Sequence, residues 1–151
     1  MFFDDDANFD RLLGELESWK HTPFVARACI KGSGVDCVQF AHQVLLNVGA
    51  ISPAVFPQSY TIRGGGESML AILEQAVATV PELERTWRYG YSRPHQITRG
   101  NLLLLSTGRA LHHFAIVAKP PLVWHCLTKV GCASLADPSI GNHIFGVWRV
   151  R

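Results

Sequence analysis

The chain has little charge and no concentration of it. Charged residues make up 17% of its 151 positions, and the formal net charge is +2. The fourteen Lys and Arg are scattered and form no run or stripe, which argues against a nucleic-acid-binding surface. There is no apolar stretch of about eighteen residues, so no membrane-spanning helix is expected. The first residues, MFFDDDANFD, are acidic where a secretory signal needs a basic region followed by an apolar one. The expectation is therefore a protein made in the cytoplasm, with export, if any, by another route. No internal repeat or low-complexity tract occurs. The four cysteines, Cys29, Cys37, Cys126 and Cys132, include no Cys-x-x-Cys pair. A chain with 48% hydrophobic residues has core enough without disulfides, so all four are read as free thiols.

What is present is the pattern of one α+β domain over residues 1–151. Phe9, Leu12, Leu13, Leu16 and Trp19 fall at helical spacing, and Thr22 and Pro23 end that segment. Residues 26–36 hold glycines and read as a loop. CVQFAHQVLLNVGAI then places apolar residues at 37, 38, 40, 41, 44, 45 and 48, a buried helix with Asp36 at its N-cap and Gly49 as its stop. Residues 52–66 read as a loop and 67–80 as a further helix closed by Pro81. The stretch 82–99 is mixed and receives no assignment. From Gly100 onward the short runs NLLLLS, HFAIVA, LVWHCL and FGVWRV are separated by turn residues, which predicts a mostly antiparallel sheet.

Cys37 thus opens a helix. A helix N-terminus favours a thiolate, and the Cys37 N–H is a ready donor to an oxyanion. The glycines of GSGVDC allow a tight turn and close approach of a substrate. On these surroundings alone, a buried small hydrophobe at a helix start is an equally good reading. The histidines shift the balance. His113 opens one strand and His125 lies in the next, twelve residues on, with AKPP as a hairpin connection between them. An even offset across a hairpin can put both rings on one face, depending on register, with one imidazole for Cys37 and the other to orient it. His112, adjacent to His113, should then face away. A metal site drawn from His112, His113, His125, Cys126 or Cys132 has suitable residue types, but its spacing matches no common zinc pattern.

GVDC at a helix start, GNLLLL, HFAIV and WHC, in that order, resemble the motifs of the NlpC-type cell-wall cysteine peptidases. TPFVARACIKGSGVDC is similar to that family's approach to the nucleophile, and its K-G-x-G-x-D-C form to the phage-associated branch found in tail-assembly and gene-transfer-agent gene sets. The resemblance covers residues 22 to about 127. It implies a compact papain-like α+β domain with Cys37 as nucleophile, His113 as base and His125 as orienting residue. The implied reaction is hydrolysis of an amide in peptidoglycan stem peptides, with no cofactor or metal. Phage-tail proteins are implied as partners, and a phage-like particle as the route to the cell wall. Asp36, Val38, Phe24 and Tyr60 are the expected substrate-binding residues. Departures cluster there: Val38 and Gln39 replace a Ser and a Gly, Ala26–Ala28 replace an aromatic-Gly-Gly segment, Phe24 stands for a Tyr, and Asn101 stands for an Asp. The alternative uses of the same fold are acyl transfer or a non-catalytic role in tail assembly.

Overall fold

A computed structural model of the chain describes residues 1–53, 67–88, 97–107, 111–136 and 144–151. After a single 3-10 turn at Phe2–Asp4 come α1 (Asp6–Ser18), β1 (Cys29–Ile30), β2 (Gly34–Val35), α2 (Cys37–Asn47) and α3 (Glu67–Ala78). Six strands follow: β3 (Leu83–Arg88), β4 (Leu102–Thr107), β5 (Leu111–Val117), β6 (Leu122–Leu127), β7 (Gly131–Ala136) and β8 (Ile144–Val150). They form one sheet in the order β3-β8-β4-β5-β6-β7, and every pairing in it is antiparallel. The protein is α+β, with helices leading and strands following. Among the described residues no helix is long and apolar enough to cross a membrane.

Alternation along the strands gives the sheet two apolar faces. Leu102, Leu104, Phe114, Ile116, Trp124 and Cys126 join the cluster that receives the buried sides of all three helices. Leu103, Leu105, Ala115, Val117 and Val123 form a smaller cluster on the other face. The first cluster is the main core. Phe9, Leu12 and Leu16 of α1 and Val38, Phe40, Ala41, Val44 and Leu45 of α2 are buried in it. Trp19 and Phe40 meet edge to face, with ring centroids 5.9 Å apart. Burial of this kind contributes roughly 1.5–3 kcal/mol per large apolar side chain and dominates the stability of such a domain.

Several segments differ from the sequence expectations. Residues 26–36 are not wholly irregular, because β1 and β2 pair as a two-residue hairpin, Cys29 with Val35 and Ile30 with Gly34. Residues 83–88 form an edge strand. Its polar surface obscures it in the sequence, and it is tied down by Arg85–Glu74 and Arg149–Glu84 ion pairs at 2.8 and 3.1 Å. GCASLA forms β7, although it lacks the β-branched and aromatic residues that mark strands. Its far edge is held by residues 21–22: His21 N–H donates to the Cys132 carbonyl, and Cys132 N–H donates to the Thr22 carbonyl. Gly131 makes that contact possible. Its φ is +74°, and a Cβ there would lie 2.4 Å from the Thr22 oxygen.

Candidate active site at the start of the central helix

Asp36 fixes the first turn of α2. Its Oδ1 accepts from the N–H groups of Val38 and Gln39, at 3.0 and 2.8 Å, and its Oδ2 accepts from Arg27 N–H at 2.6 Å. Arg27 adopts φ +62°, a left-handed conformation that is uncommon for a side-chain-bearing residue. Gly34, two residues before Asp36, is needed for chain packing rather than for substrate approach. A Cβ on it would sit 2.6 Å from Cγ2 of Val25.

Helix α2 packs against both β5 and β6. Strands β5 and β6 pair only at Ile116–Trp124 and Val117–Val123. The Val117 N–H and carbonyl bond to residues 101 and 100 on the β4 side. By alternation, Ile116 and Phe114 turn their backbone groups toward β6. At Phe114 the ladder to β6 has already ended, and the Phe114 backbone acts on the Cys37 thiol, favouring its anion. Cys37 is 3% exposed. Burial first, and then the Asp36 carboxylate, push its thiol up to about 12, against the N–H groups of Phe114, Cys37 and Val38, which favour the anion. The helix N-terminus therefore does not by itself yield a resting thiolate; desolvation outweighs it.

The two histidines lie on β5 and β6 at the parity of Ala115, Val117 and Val123, the strand positions of the smaller cluster. The β5–β6 register puts His113 and His125 on one side of the sheet, and their rings meet with His113 Nε2 2.8 Å from His125 Nδ1. Both are buried. His113 immediately precedes Phe114 in β5, so one strand carries both the imidazole and the backbone group that favours the Cys37 anion. This backbone donor has no side-chain signal in the sequence.

The expected substrate-binding residues are placed differently. Asp36 is fully buried and committed to three backbone N–H groups, and Val38 is buried in the main core. Both shape the site from behind and present no surface to a substrate. Phe24 is half-buried against the core, and its backbone bridges Val35. Tyr60 and the side chain of His112 lie outside the described residues. Asn101 is structural: its Oδ1 accepts from Thr98 N–H at 2.8 Å and from the Thr98 hydroxyl at 3.1 Å. Cys29, half-buried, approaches Gln43 Oε1 at 3.6 Å, and burial raises its thiol. Among the described residues no three His, Cys, Asp or Glu are grouped to hold a metal ion. A cavity of about 320 Å³ lined by Leu13, Leu122 and Trp124 lies at the far end of the β5–β6 hairpin, away from Cys37.

No family model matches the sequence, and no curated protein matches it significantly. Among solved structures, a Staphylococcus aureus protein described as similar to lipoprotein, NLP/P60 family, superposes with a TM-score of 0.55 at 16% identity. The match covers 97% of this chain and 42% of that one, so this chain spans less than half the length of its structural neighbour. At this identity the likeness is one of fold, and the chain has the papain-like α+β fold of an NLP/P60 protein.

Proposed function

We propose that the protein is a cysteine hydrolase acting on amide bonds of peptidoglycan stem peptides, with Cys37 as nucleophile, His113 as base and His125 as orienting residue. The observation that carries this reading is the His113–His125 contact at 2.8 Å, made by the residue that precedes Phe114, whose backbone acts on the Cys37 thiol. With Nε2 of His113 engaged by His125, Nδ1 is the ring atom that takes the thiol proton. The sulfur then attacks the amide carbonyl, and the Cys37 N–H donates to the oxyanion. His113 returns the proton to the leaving amine, and water cleaves the resulting thioester. Because burial holds the thiol near 12, the resting nucleophile is the thiol, and proton transfer accompanies attack.

The substrate class is supported by the GVDC, GNLLLL, HFAIV and WHC motif order and by the fold shared with an NLP/P60 protein. Delivery by a phage-like particle is part of the proposal and is supported by the K-G-S-G-V-D-C resemblance. The test is release of peptide fragments from purified cell-wall stem peptides. Wild-type protein should release them and Cys37→Ala should not; undiminished release by Cys37→Ala would end the proposal. One observation favours a second reading, a non-catalytic assembly role: Cys37 is buried and its thiol is held far from ionisation. Cleavage of no stem peptide, together with no alkylation of Cys37 in the folded protein, would favour that role.

A further inference from the structure

Cys126 of β6 and Cys132 of β7 stand directly opposite each other. The pair is of the kind without mutual backbone bonds. Cys132 gives its N–H to the Thr22 carbonyl at 2.9 Å and takes the His21 N–H on its own carbonyl at 3.0 Å, so neither group is turned to Cys126. Residues so paired have Cα atoms about 4.5 Å apart and close side chains, within the range of roughly 4.4–6.8 Å that a disulfide spans. Both cysteines belong to the main core cluster. Contact with the Cys132 thiol, ahead of burial, pushes the Cys126 thiol up. The Cys126 sulfur also donates at 3.3 Å to the carbonyl of Val35, the residue before Asp36.

We propose that Cys126 and Cys132 are a disulfide site: a dithiol in the structure described, closed across the β6–β7 hairpin by a small disulfide such as oxidised glutathione. One cysteine thiolate attacks a glutathione sulfur and releases the first glutathione. The second cysteine attacks the mixed disulfide and releases the other. Two cysteine sulfurs are oxidised, one glutathione disulfide is reduced, and the two thiol hydrogens leave with the two glutathiones. Raised thiols make the first step slow. It proceeds by local opening of the hairpin, which is the sheet edge and turns at the exposed Thr128–Val130. Once closed, the bond is favoured because the native register already holds the two sulfurs together. Closure also removes the Cys126 hydrogen from the Val35 carbonyl, which keeps its bond from Val25 N–H. The site does not depend on the proposed hydrolase activity.

The full chain, equilibrated with millimolar oxidised glutathione, quenched with acid and alkylated, tests this by mass. The expected product is about 2 Da lighter than the reduced chain before alkylation and carries two fewer alkyl groups after it, with its link between the peptides on either side of Lys129. The disulfide should raise Tm by about 5 °C. Cys132→Ser should abolish both changes; if that variant does not fold, the wild-type peptide map decides alone. A folded wild-type chain that stays fully reduced at equilibrium, a link through Cys29 or Cys37 instead, or a fall in Tm on closure would overturn the assignment.

Discussion

Asp36 caps the helix that begins at Cys37 and, through the same carboxylate, raises the Cys37 thiol. The two effects oppose each other in function. The cap fixes the position of the sulfur, and the charge disfavours its ionisation. A site with this arrangement depends on a neighbouring base rather than on a preformed thiolate.

Replacing Asp36 by Asn separates the two effects. The Asn oxygen can still accept from Val38 and Gln39, but its amide would face the Arg27 N–H, donor against donor. Stability should fall by roughly 1–2 kcal/mol. The Cys37 thiol should become easier to ionise, because one of the two causes that raise it is gone. Urea unfolding reads the first, and the pH dependence of iodoacetamide alkylation reads the second. A variant whose alkylation profile is unmoved would show that the Asp36 charge does not act on the sulfur.

Alkaline pH should destabilise the fold. The unfolded Cys37 thiol ionises near 9.0 and the folded one only near 12, so between these values the unfolded state binds fewer protons and stability falls as pH rises. The part due to Cys37 is about 2 kcal/mol between pH 8 and 10.5. Cys29 and Cys126 are raised too and act with the same sign. The unfolding free energy should be lower at the higher pH, and Cys37→Ala should flatten the slope. An equal slope in the variant would mean that the thiol ionises alike in both states.

The order of helices and strands is legible in the sequence because the apolar spacing coincides with burial. The positions read as apolar in α2 include all six that the helix buries. Strands β4, β5, β6 and β8 carry continuous apolar runs, since both of their faces are covered. Strand β7 was hidden because its neighbours, not its own Ala, Ser and Cys side chains, make it a strand. At the site, the parity of His113 and His125 can be counted, but the end of the β5–β6 ladder cannot, because no residue type marks that place. The sign of the thiol shift was hidden for a similar reason: it depends on how deeply the tertiary packing buries Cys37 and Asp36.

The histidine pair should occupy one tautomeric state. If Nδ1 of His113 receives the thiol proton, Nε2 carries the hydrogen and donates it to Nδ1 of His125, so both neutral rings hold their hydrogen on Nε2. Long-range proton–nitrogen correlation spectra of the imidazoles distinguish this from the reverse arrangement. His113→Ala should lower stem-peptide cleavage by about 10²–10⁴-fold. His125→Asn should lose less than His125→Leu, because it keeps an acceptor for the His113 ring. A His113 ring protonated on Nδ1 at neutral pH would rule out its role as the base.

Two glycines should respond to alanine with opposite sign. Gly14 lies inside α1, and a Cβ there would have nothing within 4 Å. Alanine removes backbone entropy from the unfolded chain and adds no clash, so Gly14→Ala should stabilise by roughly 0.5–1 kcal/mol. Gly131 has φ +74°, and its Cβ would sit 2.4 Å from the Thr22 carbonyl oxygen. Left-handed strain alone costs about 1–2 kcal/mol. The clash is with backbone and cannot be relieved by a side-chain rotation, so residues 21–22 must withdraw from β7. Gly131→Ala should therefore destabilise by at least about 2 kcal/mol, and should speed amide exchange at Cys132, whose N–H is bonded to Thr22. Urea midpoints moving in the same direction for both variants would contradict the packing of residues 21–22 against β7.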